Sequence, residues 1–250
     1  MDKLTVVWTA TFLYVPFLLL SYIHLPRAVG SVIGLLGSPI YLIAAYLLNS
    51  ITVMGARRSI VFLAISSSVS FLFEFVGVHY GVPFGSYRYT AAMGPELLGV
   101  PFFIPLLWAS LGYFSLMASG NYYAAAVGMV ALDAGFDPLL SGPLGLWKWR
   151  GGGQYFGVPL TNFAGWLVVS LIIYLLFKAS TRYRPKPSAA GLLFYISYYA
   201  TWILAAFMLG LPKVGLASIT LLATYSAVIG ALLATRGRRG PSRQANGQST

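Results

Sequence analysis

Runs of about twenty apolar residues follow one another from one end of this chain to the other, and they constrain it more than any motif does. They lie near 4–23, 29–49, 59–78, 100–119, 121–141, 159–177, 189–209 and 213–234. A helix needs roughly 20 apolar residues to cross about 30 Å of hydrocarbon. The 250 residues are 58% hydrophobic and only 8% charged, whereas a soluble domain carries about a quarter charged residues. The sequence therefore reads as an all-α, polytopic membrane helical bundle of about eight transmembrane helices, with seven as the alternative count. Residues 1–235 form a single transmembrane domain in this reading, and 236–250 a basic, disordered tail. Pro101 and Pro159 both fall near helix starts, where proline is tolerated.

The net charge of +11 suggests nucleic acid at first sight. The positions of the basic residues argue against that partner. Eight spans put both termini on one side, together with Lys3, Arg57, Arg58, the run KASTRYRPK and the basic tail, which is eleven of the sixteen Lys and Arg. Arg27, Arg88, Lys148, Arg150 and Lys213 fall on the other side. An excess of Lys and Arg marks the cytoplasmic face, so an integral protein of the cell membrane with both termini cytoplasmic is expected. The tail then serves as a topology anchor that can also touch anionic lipid. No small-residue cleavage site follows the first apolar run, so a cleaved signal peptide is not expected.

With no cysteine in the chain, disulfides, thiolate chemistry and cysteine-ligated iron–sulfur clusters are excluded. Two histidines, His24 and His79, are too few for a multi-histidine di-iron site. Nucleotide-binding glycine patterns and aspartate-rich diphosphate motifs are missing. Neither a metal nor a cofactor is expected.

Acids are scarce, and their placement is the strongest functional signal. Asp2 is terminal; Glu74, Glu96, Asp133 and Asp137 lie closer together, three of them inside expected spans. An ionisable group within a span costs a few kcal/mol at least, about 2.5–3.5 kcal/mol on insertion scales, and normally faces the bundle interior. Asp133 and Asp137 are four residues apart and share one side of a helix. Two carboxyl groups that close cannot both ionise cheaply, so one is expected to keep a proton, the equipment of general acid–base chemistry. Pro138 is expected to disturb the turn that follows. The long loops 79–99 and 142–158 share one face of the bundle and are rich in Gly, Tyr, Trp and Pro. The first is expected to re-enter partly, which requires protein cover. GVPFFIPLLW (99–108) and GVPLTNFAGW (157–166) echo each other, each with a Trp seven residues after the proline.

Four segments in order, EFVGVHYGVPFGSYRYT, GPELLGVPFFIPLLW, DAGFDP and GQYFGVPLTNFAGW, resemble the carotenoid biosynthesis membrane proteins. That family includes bisanhydrobacterioruberin hydratase and the γ-carotene 1′-hydroxylase, itself a hydratase. The resemblance covers roughly residues 70–170. It implies addition of water to the terminal double bond of an acyclic (ψ) carotenoid end group, giving a tertiary alcohol without a redox cofactor. It implies a carotenoid substrate in a lipid setting, with other carotenoid biosynthesis enzymes as partners.

On that footing a protonated acid, Asp137 or Asp133 with Glu74 as the other choice, donates to the alkene. Tyr87, Tyr89, Trp147, Trp149, Tyr155 and Trp166 are candidates to bind substrate and stabilise the cation, each aromatic face being worth about 0.5–2 kcal/mol. A carboxylate or His79 takes the proton of the attacking water, and Asn162 positions that water or a carboxylate. The competing readings are another carotenoid or isoprenoid isomerase or cyclase, and a membrane transporter or lipid-binding protein.

Overall fold

Asp2 opens the chain as an N-cap, its carboxylate accepting from the Thr5 amide at 2.7 Å. The computed structural model describes residues 2–23 and 37–237. The cap starts α1 (Lys3–Phe12), and Leu13 separates it from α2 (Tyr14–Ile23). Pro16 explains the break: it has no N–H to offer the Phe12 carbonyl. Then follow α3 (Ser38–Met54) and α4 (Ala56–Tyr80), joined at Gly55, whose φ of 84° an L-side chain rarely adopts. After the first long loop come α5 (Phe103–Ser119) and α6 (Tyr122–Ser141). After the second come α7 (Leu160–Thr181), α8 (Ala189–Met208) and α9 (Pro212–Gly237).

Five of these are long and apolar enough to cross a membrane: α4, α6, α7, α8 and α9 through Leu232. Lys3–Leu18, α3 and α5 are shorter apolar helices. The protein is an all-α integral membrane bundle, as the run of apolar segments requires. The second expected span is displaced, because α3 continues through Ile51–Met54 until Gly55 stops it; residues 29–36 of that expectation lie outside the described residues. So do His24, Arg27 and the tail from 238 onward. The third expected span is α4, which begins at Ala56 and takes in Arg57 and Arg58. Long basic side chains are tolerated at a membrane edge because their charged ends reach outward, and Arg58 sits over the Tyr183 ring, 5.4 Å from its centroid.

At the centre stands α5, packed against α3, α4, α6 and α8. Every residue from Trp108 to Ser119 is buried. Small residues let the neighbours approach closely, as membrane interfaces require: the Tyr174 hydroxyl reaches the Gly112 carbonyl at 2.8 Å. A single apolar core extends from Trp8 to Ile229. The expected disturbance at Pro138 does not occur; α6 runs through it to Ser141. Pro138 costs one bond, to the Ala134 carbonyl, while the last carbonyls of the helix are taken up by the loop, from Leu144 to Leu139 at 3.0 Å and from Leu146 to Leu140 at 2.7 Å.

The two long loops meet in a two-stranded antiparallel sheet, β1 (Tyr87–Tyr89) with β4 (Trp147–Trp149), in the register Tyr87–Trp149, Arg88–Lys148 and Tyr89–Trp147. Between them in sequence lies a short hairpin, β2 (Glu96–Leu97) with β3 (Val100–Pro101). Side chains alternate across a strand, so YRY and WKW send four aromatic rings to one face. Arg88 and Lys148 are exposed on the other. The first loop sends Phe84 deep between the helices, where it is buried against Gly77 of α4 and Gly165 of α7.

Candidate active site

Helix geometry sets the depth of the acids. Glu74 lies six residues before the end of α4, and Asp133 and Asp137 lie eight and four before the end of α6. At about 1.5 Å per residue they sit roughly 6–12 Å below the loop face. All three are buried and line one cavity of about 420 Å³ beneath the β1–β4 sheet.

Glu74 accepts three hydrogen bonds. The Trp108 indole donates to Oε1 at 2.9 Å, and the Tyr87 and Tyr89 hydroxyls donate to Oε2, the latter at 2.8 Å. Burial, and then the neighbouring Glu74 carboxylate, push both phenols well above the ordinary tyrosine range, so they remain donors. Asp137 also accepts three: from the Trp147 and Trp149 indoles to Oδ1 at 2.9 and 3.2 Å, and from Asn162 Nδ2 to Oδ2 at 2.9 Å. Asn162 sits at the start of α7, and the same amide nitrogen donates to Asp133 Oδ2 at 2.6 Å. Asp133 takes no other hydrogen bond among the described residues. The i,i+4 spacing of the two aspartates is what allows one amide to span them.

Aromatic rings complete the walls. Five of the six tryptophans of the chain line the cavity: Trp108, Trp147, Trp149, Trp166 and Trp202. Trp108 and Trp166 stack with ring centroids 4.0 Å apart, and Phe136 meets Trp166 edge-on at 5.8 Å. Among the described residues, no lysine, arginine or histidine lines the cavity, and the carboxyl groups accept from neutral donors alone. The described residues hold no group of His, Asp and Glu at metal-ligand spacing.

The structure thus brings together Glu74, Asp133, Asp137, Asn162, Tyr87, Tyr89, Trp147, Trp149 and Trp166. It leaves two sequence candidates outside. His79 is exposed on the far side of α4, its Nδ1 2.9 Å from the Phe75 carbonyl and its ring against Phe75. Tyr155 packs on Phe163 behind the cavity wall rather than in it. Glu96, in β2, is exposed. Trp108 is a site residue that composition does not single out. Its one signal is the spacing it shares with Trp166 in the two G-V-P…W segments, whose tryptophans are the rings that stack.

A profile of the family described as carotenoid biosynthesis protein matches residues 29–233. The bisanhydrobacterioruberin hydratase of Haloarcula japonica is 30% identical over 164 residues, 58% of this chain and 55% of that protein. The match thus spans about half the length of that relative. No solved structure matches the chain. The similarity reaches well beyond the 70–170 segment on both sides, through the helices that close the cavity: the chain belongs to the carotenoid biosynthesis protein family.

Proposed function

We propose that this carotenoid biosynthesis protein is a hydratase that adds water to the terminal double bond of an acyclic carotenoid end group. One observation carries the reading: three buried carboxyl groups share an aromatic cavity in which, among the described residues, no basic side chain stands. Such a site can give a proton, tolerate a carbocation and take a proton back.

Asp133 is the donor in this mechanism. A carboxylate surrounded by three donors is stabilised in its charged form, as Glu74 and Asp137 are; Asp133 has one donor and keeps its proton at less cost. It transfers that proton to the less substituted carbon of the terminal alkene. The π pair forms the new C–H bond, and the positive charge falls on the tertiary carbon. The faces of Trp108, Trp166 and Phe136 and the negative charge of Glu74 stabilise that cation without trapping it. Water attacks the cation through its oxygen and loses a proton to the Asp137 carboxylate. That proton returns to Asp133, which shares the Asn162 amide with Asp137, through an intervening water. The balance is alkene plus water giving tertiary alcohol, with both acids restored and no change of oxidation state overall. His79 has no part in it.

The polyene itself extends from the cavity into the apolar interior while its tip stays near the loop face, where water is close. The loop face is the outer one in this proposal, with both termini in the cytoplasm of the cell that carries the protein. Membrane lipid and other carotenoid-modifying enzymes are the expected neighbours.

The test is expression in a host that accumulates an acyclic carotenoid, with anaerobic incubation in oxygen-18 water. The expected product is heavier by one water and carries the label. A product of unchanged mass means an isomerase or cyclase, and a hydroxylated product that forms only in air and lacks the label means an oxygenase; either result overturns the proposal.

A further inference from the structure

A tyrosine hydroxyl cannot reach its own helix carbonyls as serine does, so a buried phenol needs a partner from elsewhere. This chain supplies one as a rule. Tyr46 donates to the Ser59 carbonyl, Tyr113 to Asn49, Tyr174 to the Gly112 carbonyl and Tyr195 to the Gly128 carbonyl, all between 2.6 and 2.8 Å. The hydroxyls of Tyr155 and Tyr199 are buried without a partner among the described residues. Both flank the aspartates: Tyr155 packs on Phe163, next to the Asn162 that donates to Asp133, and Tyr199 lies against Gly135, between Asp133 and Asp137.

Tyr199 stands on α8 against Gly135 of α6, where a Cβ would come within 2.9 Å of its ring. Gly135 lies midway between Asp133 and Asp137, so the missing side chain lets the phenol approach the backbone that carries both acids. Ser218 of α9 faces the Tyr199 hydroxyl without meeting it in hydrogen-bond geometry, and its own Oγ is buried without a partner among the described residues. Tyr155 is half-buried in the loop beside the bundle mouth. The three hydroxyls therefore mark out a polar line from the loop face, behind the cavity wall, to Asp133, whose Oδ1 takes no hydrogen bond among the described residues.

We propose that Tyr155, Tyr199 and Ser218 bind a short file of water molecules leading from the loop face to Asp133, separate from the route by which the apolar substrate enters. A buried water makes about three hydrogen bonds to otherwise unsatisfied polar groups, and these hydroxyls with the open carboxyl oxygen supply them. Its role in catalysis rests on the hydratase reading: each turnover consumes one water, which arrives without crossing a cavity filled by the carotenoid end group.

Radiolytic hydroxyl-radical labelling of the intact purified protein in oxygen-18 water tests the file directly, because radicals form from water bound at the side chain. Tyr199 is expected to be labelled several-fold faster than Tyr174 and Tyr195, which are equally buried but bonded to carbonyls. Protection of Tyr199 equal to theirs overturns the proposal. Tyr199→Phe is expected to lower kcat several-fold with KM for the carotenoid unchanged; a rise in KM at unchanged kcat would make Tyr199 a substrate contact and overturn it too. The labelling does not need activity. Labelled Tyr199 in a protein that yields no hydrated product keeps the water file and removes the hydratase reading, whereas hydrated product with a protected Tyr199 does the reverse.

Discussion

Asp133 and Asp137 have the same side chain, lie on the same face of the same helix, and differ in their hydrogen-bond donors. Asp137 collects two indoles and an amide, Asp133 the other reach of that amide. That difference assigns their roles in the proposed reaction and gives unequal mutants. Asp133→Asn keeps the shape and can still accept from Asn162, but it has no proton for an alkene. General acid catalysis contributes about 10²–10⁴-fold, and hydration is expected to fall by at least that much while the purified protein keeps its elution profile and its carotenoid. Near-normal turnover would place the donor elsewhere. Trp108→Phe keeps a ring beside Trp166 and removes the donor to Glu74 Oε1. Losing one charge-assisted bond costs about 1.5–3 kcal/mol, so kcat/KM is expected to drop by roughly 10–100-fold, read in the same product assay. The acids were legible in the sequence because a carboxyl inside an apolar run is expensive and conspicuous. Trp108 was not, because a tryptophan in a membrane helix is unremarkable until its stacking partner is known.

At the scale of elements, the apolar runs gave away the helices, since length and composition are all a spanning helix requires. The β1–β4 sheet left almost no trace. Three residues per strand are too few to show a period, and the partners are separated by the whole of α5 and α6, so YRY and WKW offer candidate aromatic rings but no pairing. Only in register do they form a roof whose inner face is four rings and whose outer face is Arg88 and Lys148. Because the chain has no cysteine, single introduced ones report on this directly. Arg88→Cys and Lys148→Cys are expected to react with an impermeant maleimide from the same side of sealed membranes, and Arg58→Cys from the opposite side; reaction of Arg88→Cys and Arg58→Cys from one side would refute the proposed topology. Beneath the roof, Phe84 depends on Gly165. A Cβ there would stand 2.6 Å from the Phe84 ring and 3.1 Å from Pro83. Overpacking of this kind costs about 1–3 kcal/mol. Gly165→Ala is expected to lower the midpoint of thermal unfolding in detergent, and Phe84→Leu added to it to restore part of the loss.

For the molecule as a whole, all of the candidate site residues but His79 and Tyr155 meet in one cavity, and among the described residues the basic side chains stay out of it. Arg88 and Lys148 lie on the outer side of the same strands whose inner side holds the acids, and neither turns inward to neutralise them. Among the described residues the cavity thus sets carboxyl groups and π faces together with no cation beside them, a setting suited to something positive of the substrate's shape. A stable cation should therefore occupy it better than the substrate does. An isoprenoid chain ending in a quaternary ammonium, with the nitrogen where the tertiary carbocation would form, is expected to inhibit the protein competitively and to bind more tightly than the matching neutral tert-butyl compound. Trp166→Ala should erase that preference while weakening the neutral compound much less. The geometry that would let the proposed reaction pass through a cationic intermediate would in this way also make the protein a receptor for amine inhibitors.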